Sequence, residues 1–235
     1  MTSFGPRELD ALQELATIGC GQAITALGKL TGRRIEMDVP EAWVGAEAGA
    51  IAAFLGGLGQ DLVVVGVRLE GALTGDLLLA LPERDAEGLA ALLGFPPSTQ
   101  PVNEPAPEPA PEMPGSGSDW GSGSGLSTST STRGDLQWGG MAESALMESG
   151  NIVGSAFVSA VAALVGEKLL LSVPTFARGS GRACVERLVA HEGSIALATR
   201  FTLAAEGDRA ALEGLILVMP EPDRIARLLS HLDLR

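Results

Sequence analysis

The sequence predicts an α/β protein, or α+β in stricter usage. A unit of order α-β-β-β-α occurs twice, and the two copies share one continuous sheet with helices packed against it. Three observations lead there. Residues 10–40 and 144–174 align without a gap at an offset of 134, with nine of 31 positions identical. Residues 7–31 and 139–165 both space their apolar side chains as amphipathic helices do. Each is followed by apolar runs broken by Gly and Pro, as strands are.

The identical positions are Ala11/Ala145, Leu12/Leu146, Glu14/Glu148, Ile18/Ile152, Ala26/Ala160, Leu30/Leu164, Gly32/Gly166, Val39/Val173 and Pro40/Pro174. Two copies at so long an offset describe a duplicated half-domain with an internal pseudo-two-fold, not a solenoid. In the first copy Pro6 suits the opening helical turn, and Glu8 and Asp10 suit its positive end. Gly32 and Gly166 stand where a left-handed residue closes a helix. Strands are expected at 34–39 and 168–173, then at 48–55, 61–70 and 75–81. The counterparts of these last three are 181–190, 193–204 and 212–219. Pro82 and Pro220 precede short helices at 84–93 and 223–232. The expected layout has the sheet on one side and the helices on the other.

Residues 96–138 stand apart. Pro-Ala-Glu repeats give way to Gly-Ser and then Ser-Thr, with Trp120 and Trp138 the only aromatic residues. Such a composition buries too little apolar surface to offset its ordering entropy. The organisation is therefore a first half at 1–95, a disordered Pro/Gly/Ser/Thr-rich linker at 96–138, and the second half of the same domain at 139–235.

Composition narrows the function. Apolar residues form 46% of the 235-residue chain while aromatics form 4%, with no Tyr, so the core is built from Ala, Val, Leu and Ile. A net charge of −13 without clustered Lys or Arg argues against nucleic acid and against an anionic membrane as partners. Cys20, Cys184, His191 and His231 have no metal-site spacing, and the two thiols read as buried and reduced. The N-terminus lacks a basic-then-apolar leader, and no uninterrupted apolar stretch of about 18 residues occurs. The reading is a cytoplasmic protein with no metal site.

The chemistry-bearing residues lie on the two long helices. Ser144, Glu148 and Asn151 are spaced to share one helix face, and the first copy has Asp10, Glu14 and Thr17 there. The run Gly150-Asn151-Ile152-Val153-Gly154 places poor helix formers inside a strong helix. Such an inconsistency marks close packing or function. From spacing alone, Glu148 could equally be a solvated charge and Asn151 a packing residue.

The pattern Asp or Ser, three residues, Glu, two residues, Asn, twenty-two residues, Pro resembles the signature of the CheC/CheX/FliY family of CheY-phosphate phosphatases, CheC above all. Ser144, Glu148, Asn151 and Pro174 match it fully; Asp10, Glu14 and Pro40 match it in the first copy, where Thr17 replaces Asn. The resemblance implies hydrolysis of the aspartyl phosphate on a CheY-like response regulator, in chemotaxis or motility signalling. Asn151 would position the attacking water and Glu148 would engage the regulator's active-site lysine. Ser144 and Pro174 would shape the helix and the chain behind it, and Mg²⁺ would be held by the regulator rather than by this chain. An acyl phosphate is already activated, so water placement is the main requirement. The Asn amide offers both an acceptor and a donor for that task. Thr17, shorter and stiff, leaves the first site degenerate.

The alternative is a weakly catalytic or non-catalytic adaptor that binds a partner such as CheD or a flagellar switch component. The chain's end at Arg235, without a further β domain, argues against a full FliY-type component. Whether CheD binds is not readable from these residues.

Overall fold

Helix α1 (Pro6–Thr31) starts as the sequence suggests, with Pro6 in the first turn and the Glu8 carboxylate accepting a 2.6 Å hydrogen bond from the Gly5 N–H. It ends at Gly32 with φ 68°, and α4 (Gly140–Val165) is followed by Gly166 with φ 72°. Both are left-handed positions that a side chain would strain. The computed structural model describes residues 4–44, 48–96, 140–189, 195–207 and 210–232. The linker expected at 96–138 lies outside them save for its first position, and so does His191.

The remaining elements are β1 (Ile35–Met37), β2 (Glu41–Val44), α2 (Ala48–Gly56), β3 (Leu62–Gly71), β4 (Gly75–Pro82) and α3 (Glu83–Leu92) before α4. After it come β5 (Leu169–Leu171), β6 (Thr175–Gly179), α5 (Gly181–Leu188), β7 (Ile195–Leu203), β8 (Leu212–Pro220) and α6 (Pro222–Leu232). The order α-β-β-α-β-β-α thus occurs twice, in place of the expected α-β-β-β-α.

One mixed-partner sheet results, in the order β1-β7-β8-β4-β3-β5, with β2 also on β7 and β6 also on β3. All its pairings are antiparallel. The pairing is reciprocal. The first two strands of the first half extend β7 of the second, and β5 and β6 of the second half extend β3 of the first. β4 and β8 join the halves at the centre, with Leu78 opposite Leu217. Neither half completes its share of the sheet alone.

Helices cover both faces of this sheet, not one. Val63, Val65, Val67 and Leu69 of β3 turn toward the layer of α1, α3, α4 and α6, and Leu62 and Val64 turn toward α2 and α5. A strand buried on both faces reads as an unbroken apolar run, as β3, β4 and β8 do. The strand expected at 48–55 is α2, and that expected at 181–190 is α5. Periodicity cannot separate a short apolar helix from a buried strand. The helical signals were Ala content in α2, and in α5 the Ser180 cap, whose hydroxyl accepts from the Ala183 N–H at 3.3 Å. An i,i+4 pair, Arg182–Glu186 at 2.8 Å, adds to α5. Strands β2 and β6, directly after Pro40 and Pro174, were not expected at all.

By length and composition α4 could span a membrane. In this fold its Leu146, Val153, Phe157 and Val161 are fully buried against α1 and the sheet, as core helices of globular domains are.

Candidate functional site

The inner side of α4 decides how its outer side is held. A Cβ placed on Gly150 would lie 2.4 Å from Cγ1 of Val65, and one on Gly154 would lie 3.0 Å from Cγ2 of Val67. Both glycines therefore let the helix descend onto β3. Gly19 does the same between the two long helices, since a Cβ there would meet the Phe157 ring at 2.4 Å. The poor helix formers around Asn151 divide accordingly. The two glycines serve packing, and Asn151 lies outside that contact.

The outer side carries Ser144 and Glu148, both exposed, and Asn151, half-buried. Steps of four and three residues place them on one stripe. The Ser144 hydroxyl donates to the Gly140 carbonyl at 2.6 Å and is turned back onto its own helix. Among the described residues, no hydrogen bond or ion pair engages the Glu148 carboxylate or the Asn151 amide. Their polar heads are free for a molecule that docks on this stripe. Ser149, which sequence reasoning passed over, is fully buried and donates to the Ala145 carbonyl at 2.9 Å.

The first copy has the same frame with different details. Asp10, Glu14 and Thr17 are exposed on α1. The Thr17 hydroxyl donates to the Gln13 carbonyl at 2.7 Å, so its proton is spent within the helix. Ala16 and Cys20 are buried where α4 has Gly150 and Gly154. Burial pushes the Cys20 thiol up to about 12, making it an inert core group.

The motif prolines lie behind these helices. Pro40 is buried, and its carbonyl accepts from the Gln13 side-chain amide at 3.3 Å; Pro174 is half-buried between β5 and β6. The residue before each is left in solvent: Val39 is 74% exposed and Val173 83%. These two large apolar side chains, exposed at equivalent places in the repeat, were not singled out by sequence reasoning. Only the identity of the pair across the repeat could have drawn attention to them.

The fold and stripe define a class of protein that comparisons with known proteins also indicate. A model of the CheC-like family matches residues 8–43, which hold the first-copy motif. The chain is 27% identical over 168 residues to the CheY-P phosphatase CheC of Bacillus subtilis (strain 168), covering 71% of this chain. That match spans 64% of the relative's length, less than two thirds of it. In fold, the chain is similar to FliY of Thermotoga maritima, with a TM-score of 0.60, 16% identity, and 98% of each chain covered. It is also similar to the FliM middle domain of H. pylori, with a TM-score of 0.56, 11% identity, and 97% and 99% covered. Motif, family model and fold together make the chain similar to proteins of the CheC/CheX/FliY family.

Proposed function

We propose that this chain hydrolyses the aspartyl phosphate of a phosphorylated CheY-like response regulator, working from the α4 stripe. The observation that carries the reading is the pair Glu148 and Asn151, two side chains with unengaged polar heads three residues apart on a helix held tightly from behind. Glu148 would meet the regulator's active-site lysine in a charge-assisted contact and set the orientation of the two proteins. The Asn151 amide would then hold one water in line with phosphorus, accepting from it through the carbonyl oxygen. The chain supplies no nucleophile and no general base, and an acyl phosphate needs neither from it. Val173, exposed between β5 and β6, would add apolar contact with the regulator. The activity recorded for the Bacillus subtilis relative supports the reaction class.

The α1 stripe supports a binding role without hydrolysis. Asp10 and Glu14 keep the carboxylates, but the Thr17 hydroxyl is committed to Gln13, so a regulator or a switch partner could dock there without a placed water. This is the adaptor reading confined to one half.

The test is phosphate release from a phosphorylated CheY-like regulator, with and without the full chain. Asn151→Ala should slow release at least about tenfold, since misplacing the reacting water costs that much and more. Glu148→Ala should weaken docking. Both side chains lie outside the core, so circular dichroism and melting should be unchanged. Full activity in folded Asn151→Ala protein would refute the catalytic assignment.

A further inference from the structure

Val39 and Val173 owe their exposure to one device, used twice. Between the pairs Leu69↔Leu171 and Gly66↔Thr175, two residues of β3, Val67 and Arg68, stand opposite three, Ser172, Val173 and Pro174. Between Met37↔Phe201 and Glu41↔Ala198, Thr199 and Arg200 of β7 likewise stand opposite Asp38, Val39 and Pro40. Each is a β-bulge that carries one extra residue. Packing records the slip. Leu169 and Leu171 join the core beneath α1 and α4, and after the bulge Phe176 does so, so the inward side changes from odd to even numbers. In an unbroken strand Val173 would have followed Leu171 inward. The bulge turns it out, and Pro174, which has no N–H to give a ladder, suits the place.

The two bulges are held differently. Both residues that precede the valines donate their N–H to the other half: Ser172 to the Arg68 carbonyl at 2.9 Å, and Asp38 to the Arg200 carbonyl at 3.0 Å. The second bulge adds the Ser172 hydroxyl. It accepts from the Arg68 N–H at 2.9 Å and donates to the Val173 carbonyl at 3.1 Å. It thus stands in for the backbone carbonyl that the bulge withdraws from the ladder. In the first copy the hydroxyl comes from the opposite strand, where Thr199 donates to the Asp38 carbonyl at 2.8 Å. There Gln13 also holds the Pro40 carbonyl to α1. At the 134-residue offset Gln13 corresponds to Met147, which has no N–H in its side chain.

The second bulge continues the strand that supports α4. A Cβ on Gly154, three residues beyond Asn151, would lie 3.3 Å from Cδ1 of Leu171. We propose that Ser172 is a positioning residue for regulator docking, fixing the bulge so that Val173 is held outward as an apolar contact. This rests on the reading that a phosphorylated CheY-like regulator docks on α4. It adds that the docking surface is set from the first half of the chain, through Arg68.

The test measures two quantities on the full chain: the Kd for a CheY-like regulator loaded with beryllofluoride, a stable mimic of the acyl phosphate, and kcat for phosphate release. Ser172→Ala should raise the Kd at least about threefold and leave kcat within about twofold, because Asn151 is held through Gly150 and Gly154 rather than by the bulge. Ser172→Thr, which keeps the hydroxyl, should restore the Kd. In a Val173→Ala background Ser172→Ala should add less than about twofold, since its effect passes through Val173. The Arg68 amide proton should exchange faster with solvent in Ser172→Ala. Should Ser172→Ala fail to fold, Ser172→Cys, a weak acceptor of similar size, takes its place. An unchanged Kd, or a weakening that persists in full in the Val173→Ala background, would overturn the proposal and make Ser172 a structural residue of the sheet. Tight binding without phosphate release would defeat the phosphatase reading alone, with the Kd comparison still deciding the role of Ser172. No binding by the unaltered chain would overturn both.

Discussion

Gly150 offers the sharpest test of how packing holds the α4 stripe. Replacing it with Ala puts a methyl 2.4 Å from Cγ1 of Val65, where ordinary contact begins near 3.4 Å. Val65 cannot retreat, because β3 is clamped between β4 and β6. The helix must therefore lift by about 1 Å, or neighbouring side chains must leave their rotamers, and such overpacking costs about 1–3 kcal/mol. Ala is a better helix former than Gly by about 1 kcal/mol, which offsets part of it. A net loss of up to about 2 kcal/mol is expected from urea denaturation. Asn151 rides on the same turn, and a displacement near 1 Å can lower a rate about a hundredfold. Phosphate release from a phosphorylated regulator should therefore fall by at least about tenfold. Val65→Ala should restore both quantities in the double mutant, with a coupling energy of about 1 kcal/mol or more. Gly21 is the control, for a Cβ there meets nothing within 4 Å. Gly21→Ala should be neutral or stabilise by up to about 1 kcal/mol. Undiminished stability in Gly150→Ala would refute the close-approach argument. Lost stability with full hydrolysis would refute the link between packing depth and water placement.

Further outcomes follow from the same geometry. Thr17→Asn in an Asn151→Ala background should restore part of the hydrolysis, measured as phosphate release, because Asp10 and Glu14 are already exposed on α1. Background activity in the folded double mutant would leave α1 a binding or purely structural face. Cys20 is protonated in both folded and unfolded chain at neutral pH, so stability there should not depend on it. Above pH 9 the unfolded thiol ionises while the folded one, raised to about 12, does not. Stability should then fall with rising pH by up to about 1.4 kcal/mol per unit over that window. Cys20→Ala should remove this part of the alkaline slope in denaturation at pH 8–11. Val173→Asp should weaken regulator binding several-fold, read as a raised KM with the melting temperature unchanged.

The sequence alone determined the features that depend on local chemistry. The capping glycines, Pro6 and the helical spacing located α1 and α4 almost to the residue, and the repeat at an offset of 134 located the two motif stripes. The same spacing placed Ser144, Glu148 and Asn151 on one face, and the structure leaves that face outward. Tertiary structure decided what depends on partners distant in the chain. The segments Ala48–Gly56 and Gly181–Leu188 are helices that cover the sheet's second face, and nothing inside either segment states which face it will meet. The crossed pairing of β1 and β2 with β7, and of β5 and β6 with β3, is a long-range choice invisible to any local window. Gly150 and Gly154 could be flagged as misfits in a helix. Only the packed structure shows that Val65 and Val67 occupy the space their side chains would need, because steric exclusion is a property of the neighbour and not of the glycine.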